Sequence, residues 1–131
     1  MGVTLHHIGC LVPSIENAIA DYKVLHPAGE PSQIYDIETQ KVKVCFFSFG
    51  DVHIEFVAPY GPPSFLTDRL KSNPGFYHLG VYTANIDAEI DRLEDEGYRL
   101  INKFISPAFD NRFCAFLLNR EFHMIELIEE G

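Results

Sequence analysis

The stretch Ile-Glu-Phe-Val at residues 54–57 is matched near the end of the chain by Ile-Glu-Leu-Ile at residues 125–128. A second pair, His-Ile-Gly at 7–9 and His-Leu-Gly at 78–80, has the same spacing of 71 residues (126 − 55 and 78 − 7). Such apolar runs are typical of buried strands, where an ionised carboxylate is costly unless a cation or a donor compensates it. The repeat therefore predicts a module used twice, each copy with one histidine near its start and one glutamate near its end.

Length and composition describe an ordinary globular chain. Of its 131 residues 47% are hydrophobic and 22% charged, so we expect one compact domain with a real core. The formal net charge of −9 argues against a nucleic-acid partner, because phosphates need a basic face. The sequence contains neither an apolar run of membrane-spanning length nor a signal-peptide pattern, so no membrane partner is expected.

Three cysteines, Cys10, Cys45 and Cys114, lie in predicted strands without a Cys-x-x-Cys spacing. An odd and scattered set is typical of small, reduced core residues. We therefore expect a cytoplasmic protein.

Hydrophobic periodicity predicts the order β-α-β-β-β in each half, and therefore an α+β fold of two paired modules. Module 1 covers about residues 3–60, a linker covers 61–74 with a short helical stretch at Ser64–Lys71, and module 2 covers about 75–131. Helices are expected after the N-cap residues Ser14 and Asn85. The predicted strands are Val3–Val12, Gln33–Glu38, Val42–Phe49, Val52–Pro59, Phe76–Thr83, Tyr98–Ile105, Arg112–Leu118 and Phe122–Ile128.

The repeated histidines and glutamates can be interpreted in two ways. A lone strand histidine is more often a core residue, and a lone glutamate in an apolar run more often faces solvent at a sheet edge. The same spacing in two copies is hard to explain by unrelated structural roles. We therefore predict one metal site with the ligands His7, Glu55, His78 and Glu126.

The remaining histidines are assigned by strand alternation. His6, His26 and His123 are interpreted as structural residues. His53 shares the face of Glu55, so a contact to a metal ligand or to a substrate stays open for it.

Two imidazoles and two carboxylates suit one divalent ion per site, either zinc, nickel, cobalt, manganese or iron(II). On a six-coordinate ion they leave two adjacent positions for water or for two substrate oxygens. An ion so placed polarises a carbonyl and stabilises the enolate formed when the neighbouring carbon loses its proton. The predicted chemistry is a proton shift next to a carbonyl.

At these residues the chain resembles the vicinal oxygen chelate superfamily, which includes glyoxalase I, methylmalonyl-CoA epimerase, bleomycin-resistance proteins and extradiol dioxygenases. The resemblance covers nearly the whole chain, and it matches all four metal positions of the family. It implies that the two modules form a curved mixed sheet around a metal site, the glyoxalase-like fold. The motifs that carry it are His7-Ile8-Gly9, Ile54-Glu55 before Val57-Ala58-Pro59, Tyr77-His78-Leu79-Gly80 and Ile125-Glu126-Leu127-Ile128-Glu129-Glu130.

Two branches of the family share these features. The His, Glu, His, Glu set is similar to glyoxalase I (lactoylglutathione lyase), whereas epimerases usually carry glutamine at the position of Glu55. The linker and the stretch 97–101 look like the epimerase branch. Epimerases also use an acid on the strand that here is Val42–Phe49, where Val44 is the nearest match.

The resemblance implies a metal-dependent lyase or isomerase that acts on a small thiol adduct or an acyl thioester, by way of an enediolate or enolate at the metal. It makes Glu126 both ligand and base, and Glu55 a ligand only. Asn111 and Arg112 are the candidates for holding an acidic substrate tail, although both also fit a solvated loop.

Two other hypotheses compete with that of a lyase or isomerase. One is a non-catalytic binding protein of the bleomycin-resistance type, but such a protein has no need of the four-ligand set. An extradiol dioxygenase uses two histidines and one carboxylate, and a second glutamate would occupy a position needed for oxygen or catecholate. The modules can pair within one chain or across a homodimer, and we expect a homodimer.

Overall fold

The computed structural model describes residues 2–60, 65–72 and 74–131, and in them the order β-α-β-β-β occurs twice. This confirms the α+β class and the repeat. The elements are β1 (Thr4–Leu11), α1 (Ile15–Leu25), β2 (Tyr35–Ile37), β3 (Val42–Phe49), β4 (Val52–Pro59), α2 (Phe65–Ser72), β5 (Gly75–Thr83), α3 (Ile86–Asp95), β6 (Arg99–Ser106), β7 (Arg112–Leu118) and β8 (Met124–Glu129).

The chain divides into two compact units. The N-terminal unit is His7–Tyr77, and the C-terminal unit is His78–Gly131 together with the residues that precede His7. Strands follow the order β2-β3-β4-β1 in the first unit and β5-β8-β7-β6 in the second. In both units the first and last strands of the module are parallel, and the other neighbours are antiparallel.

Each helix covers one face of its own sheet. In the N-terminal unit the buried core behind α1 contains Ile15, Cys45, Phe47 and Phe56. In the C-terminal unit it contains Ile86, Ile90, Ala115, Leu117 and Leu127. Because side chains alternate along a strand, the residues between these core positions point to the opposite face.

Both predicted helix starts are confirmed. The Ser14 hydroxyl accepts a hydrogen bond from the Asn17 N–H at 3.1 Å, and the Asn85 side chain accepts one from the Ala88 N–H at 3.0 Å. At its other end α3 is followed by Gly97, whose φ of +98° favours glycine.

Strand β2 is shorter than predicted, because the chain before it is bonded differently. The Ser32 hydroxyl accepts from the Phe46 N–H at 2.9 Å, while the Ser32 N–H donates to the Phe46 carbonyl at 2.7 Å. The Ser32 hydroxyl therefore accepts a bond that a backbone carbonyl would accept in a regular antiparallel ladder. After β2, a 3₁₀ turn at Glu38–Gln40 ends at Lys41, which has a φ of +56°.

Strand β8 starts at Met124 and not at Phe122 as predicted. Phe122 has a φ of +63°, which a strand cannot accommodate. The irregular Ser106–Asn111 loop contains a 3₁₀ turn at Pro107–Phe109.

The linker contains the predicted helical stretch as α2. The Arg69 guanidinium donates to the Phe76 carbonyl at 2.7 Å and lies 5.3 Å from the centre of the Tyr77 ring, which ties α2 to the start of β5. The predicted breaks at residues 61–64 and at Asn73 lie outside the described residues. None of the described helices has the length and apolar character needed to cross a bilayer.

Candidate metal centre

In the N-terminal unit, strand register brings His7 and Glu55 together. The parallel strands β1 and β4 place Gly9 opposite Glu55, so the Glu55 carboxylate lies beside a residue without a side chain. His7, two residues earlier, points to the same face. Its Nε2 lies 3.5 Å from the Glu55 Oε1, and both residues are buried, 0% and 4% exposed.

The C-terminal unit repeats this arrangement with His78 and Glu126. The strands β5 and β8 place Gly80 opposite Glu126. The His78 Nε2 lies 3.2 Å from the Glu126 Oε1, and these residues are 1% and 4% exposed. The same local geometry thus arises from the same positions in both modules.

A phenylalanine packs against each histidine, and the sequence reasoning missed both. Phe46 lies opposite Glu55 in register, with its ring 5.5 Å from that of His7. Phe116 lies opposite Glu126, with its ring 5.3 Å from that of His78. Only the strand register identifies these two phenylalanines, because each is the cross-strand neighbour of a repeated glutamate.

The residues present fit a divalent metal ion. Imidazole nitrogens and carboxylate oxygens lie about 2.0–2.2 Å from zinc, so two ligand atoms on adjacent positions are separated by about 3.0–3.5 Å. The separations of 3.5 and 3.2 Å in the two pairs match this spacing. His7, Glu55, His78 and Glu126 each offer one ligand atom and are candidate metal ligands. A cation would also compensate the buried carboxylates.

The predicted substrate contacts lie in different places. His53 is half-buried in β4, on the face of Glu55, and its Cα is paired with that of His7. Arg112, at the start of β7, has its guanidinium 3.6 Å from the Asp110 carboxylate. Asn111 is exposed, and its N–H donates to the Ser106 carbonyl at 2.9 Å.

The other histidines take part in local packing or face solvent. His6 meets the rings of Tyr82 and Phe109 edge-on at 5.0 and 5.2 Å. His26 stacks on Phe49 at 4.8 Å, and His123 is exposed in the β7–β8 turn.

The three cysteines are thiols, with Cys45 and Cys114 buried and Cys10 half-buried. Burial, followed by the charge of Glu55, raises the pKa of the Cys10 thiol above its usual value of 9.0. Burial also raises the pKa of the Cys45 thiol. The Cys10 and Cys45 thiols are therefore protonated at neutral pH in the absence of a metal ion.

The family model of the glyoxalase/bleomycin resistance protein/dioxygenase superfamily matches residues 6–116. The chain belongs to this superfamily. The match includes His7, Glu55 and His78 and ends ten residues before Glu126.

Within the superfamily, the chain is 31% identical to the uncharacterized protein YqjC of Bacillus subtilis, over 95% of this chain and 91% of that protein. It is also 31% identical to an ethylmalonyl-CoA/methylmalonyl-CoA epimerase of Cereibacter sphaeroides, over 74% of this chain and 73% of the enzyme. A solved structure of the Streptomyces coelicolor methylmalonyl-CoA epimerase in complex with 2-nitronate-propionyl-CoA matches with a TM-score of 0.86 at 19% identity. That match covers 99% of this chain and 96% of the other, and it shows a common fold.

Proposed function

We propose that the protein is a metal-dependent epimerase of alkylmalonyl-CoA thioesters. The observation that carries the proposal is the buried pair His78–Glu126 and its repeat His7–Glu55, which place a carboxylate beside an imidazole in each unit. The relatedness to an ethylmalonyl-CoA/methylmalonyl-CoA epimerase supports the choice of substrate class.

In this proposal the four residues His7, Glu55, His78 and Glu126 hold one divalent ion. When bound, the ion acts as a Lewis acid toward the thioester carbonyl and makes the neighbouring C–H more acidic. The donor set suits zinc, nickel, cobalt, manganese and iron(II) alike. The burial of all four ligands keeps bulk water away from them.

Glu126 takes the proton from the carbon between the thioester and the free carboxylate. The C–H bond breaks, its electron pair is delocalised into the thioester carbonyl, and the proton moves to a Glu126 carboxylate oxygen. Returning a proton to the opposite face of the carbon gives the epimer. Packing of Phe116 against His78, the neighbour of Glu126, restricts the orientation of this pair.

A second proton carrier is needed for the opposite face, and β3 contains no acidic residue among Val42–Phe49. Val44, the position nearest to the expected acid, lies opposite Val57 in the register of β3 and β4. His53 is a titratable group on the face of Glu55, and an imidazole can donate a proton near neutral pH. We therefore assign His53 either this proton return or a contact to the substrate carboxylate.

A glyoxalase I-like lyase is the second candidate. Two observations favour it: Glu55 is a carboxylate in the same relation to His7 as Glu126 to His78, and β3 lacks an acid. A proton shift between adjacent carbons on one face of a substrate needs only one base.

The deciding experiment measures both chemistries with the protein loaded in turn with each of the five metals. Deuterium incorporation into methylmalonyl-CoA from heavy water is expected, without turnover of the adducts of methylglyoxal with thiols. Turnover of a thiol adduct without exchange into the thioester would establish the lyase instead. Protein that neither binds an added metal nor catalyses either reaction would point to a non-catalytic binding protein.

The two glutamates are separated by matched variants. Glu126→Gln should lower the exchange rate by about 10³-fold or more, because the base is lost. Glu55→Gln keeps a ligand oxygen and should retain exchange to within about tenfold of the wild-type rate. Equal losses in both variants would show that the two carboxylates share the proton transfer.

A further inference from the structure

Hydrogen bonds of Asn119 organise the turn between β7 and β8. The Asn119 side chain accepts hydrogen bonds from the Glu121 N–H at 3.0 Å and the His123 N–H at 2.8 Å. Its backbone N–H donates to the His123 carbonyl at 2.9 Å, and its carbonyl accepts from the Phe122 N–H at 3.1 Å. These bonds define the backbone conformation at Phe122 and on both sides of it.

Phe122 is an unfavourable residue for folding at this position. Its φ of +63° lies in the left-handed region, where asparagine or glycine is preferred. Phe122 is 82% exposed, so the ring gains little from burial. Folding stability therefore does not favour a phenylalanine at this backbone conformation, and the outlier is a reason to look for a function of the ring.

Beside this ring lies a positively charged cavity of about 320 Å³, which we call the arginine pocket. It is lined by Gly97, Arg99, Leu118, Asn119, Arg120 and Phe122, and it contains two arginines but no carboxylate. The two arginines give this pocket a local positive charge, whereas the whole chain has a formal net charge of −9. The neighbouring cavity of about 370 Å³, in comparison, contains Glu96 and Glu121 beside Arg92 and Arg120.

The Arg120 side chain passes beside Gly97. A Cβ at Gly97 would lie 3.5 Å from the Arg120 Cγ and Cδ, so there is room for a methyl group between the glycine and the aliphatic part of Arg120. The Arg120 guanidinium lines the edge of the pocket. Arginine binds phosphate through a planar pair of donors.

We propose that the arginine pocket binds the phosphorylated adenosine end of a CoA thioester, an inference that rests on the proposed function. Arg99 and Arg120 pair with the phosphates, and the adenine stacks on the Phe122 ring, as bases do on exposed aromatic side chains. Phe122 precedes Glu126 by four residues, so their Cα atoms are at most about 14 Å apart. The pantetheine arm of CoA bridges such a distance between the nucleotide and the acyl group.

The test is a set of equilibrium titrations by calorimetry with adenosine 3′,5′-bisphosphate, methylmalonyl-CoA and methylmalonyl-pantetheine. Arg120→Gln and Phe122→Asn should each weaken the binding of the bisphosphate and of the CoA thioester by about tenfold. Neither should change the binding of the pantetheine thioester, which has no nucleotide. Asparagine suits the backbone of residue 122, so this variant should fold with an unchanged or higher Tm.

Arg92→Gln is the matched control, because it removes a nearby charge whose guanidinium is already paired with Glu89. It should leave all three dissociation constants within about twofold. Failure of the bisphosphate to bind at millimolar concentration, or equal binding by wild type and variants, would overturn the proposal. So would weakened bisphosphate binding with no change in affinity for the CoA thioester, since the pocket would then serve a free nucleotide.

These titrations need no turnover. Absence of deuterium exchange would therefore count against the proposed epimerase, while the binding pattern decides the arginine pocket separately.

Discussion

The two units contain the same His–Glu pair in different surroundings. Each holds a His–Glu pair with the glutamate opposite a glycine, at N···O separations of 3.5 and 3.2 Å. The outer strand, however, has three residues in β2 and eight in β6. The position two residues before the glutamate is His53 in one unit and Met124 in the other. Strand register near the pair is thus preserved, while edges and neighbours have diverged.

The turns show how this preservation works. Phe46 lies nine residues before Glu55, and Phe116 lies ten before Glu126, yet each phenylalanine is opposite its glutamate. The longer β7–β8 turn accommodates the additional residue. Cross-strand geometry is therefore the common feature of the units, and it does not follow from sequence spacing alone.

The largest effect is expected from removing either histidine. His7→Gln and His78→Gln should each lower metal affinity by at least about 100-fold, because a lost ligand should cost no less than a lost supporting contact. Metal analysis after dialysis and calorimetric titration with zinc measure the effect. His123→Gln, at an exposed position, is the control and should retain the metal. Retention of full affinity by one of the two variants would break the proposed equivalence of the units.

The phenylalanines that pack against the histidines should contribute similarly to stability. Phe46→Ala and Phe116→Ala should each lower the free energy of unfolding by about 3–5 kcal/mol, because both side chains are buried, at 7% and 8% exposed. Denaturant unfolding followed by circular dichroism gives these values. Phe122→Ala, which removes a ring that is 82% exposed, should cost much less. A large difference between Phe46 and Phe116 would show that only one unit needs its ring.

The helix caps offer a smaller matched comparison. Ser14→Ala and Asn85→Ala should each destabilise the protein by about 1 kcal/mol, because each leaves a helical N–H without its side-chain acceptor. Thermal unfolding measures the change. Ser14→Asp and Asn85→Asp keep an acceptor and should stay near wild type, so equal losses in the alanine and aspartate variants would argue against capping.

The smallest effect concerns Tyr60, whose counterpart 71 residues later is Gly131. Its hydroxyl donates to the Asp36 carboxylate at 2.5 Å, and this bond raises the pKa of Tyr60 to about 12. A raised pKa stabilises the folded state below the unfolded value near 10, and the effect is lost as the pH rises through about 12. Asp36→Asn should lower the pKa of Tyr60, measured by absorbance at 295 nm with Tyr60→Phe to assign the signal. An unchanged titration would mean that Asp36 is not the cause.

The resemblance to one superfamily was already evident from a few motifs, and the family match confirmed it. The motifs did not decide between a lyase and an epimerase. That choice depends on where proton-transferring groups lie around a substrate, and β3 contains no acidic residue that could serve as one. The predicted homodimer and the shared metal site stay predictions.

Local chemistry determined what the sequence could predict. Ser14 and Asn85 marked the helix starts because capping depends on neighbours within one turn, and the apolar runs around Glu55 and Glu126 marked buried strands. Only the tertiary structure decided the rest. In the structure Phe46 and Phe116 pack against the histidines. The Ser32 side chain bonds to the Phe46 backbone ahead of β2, which is shorter than predicted. Arg99, Arg120 and Phe122 line one pocket. Register and turn geometry join residues distant along the chain, and no local preference encodes them.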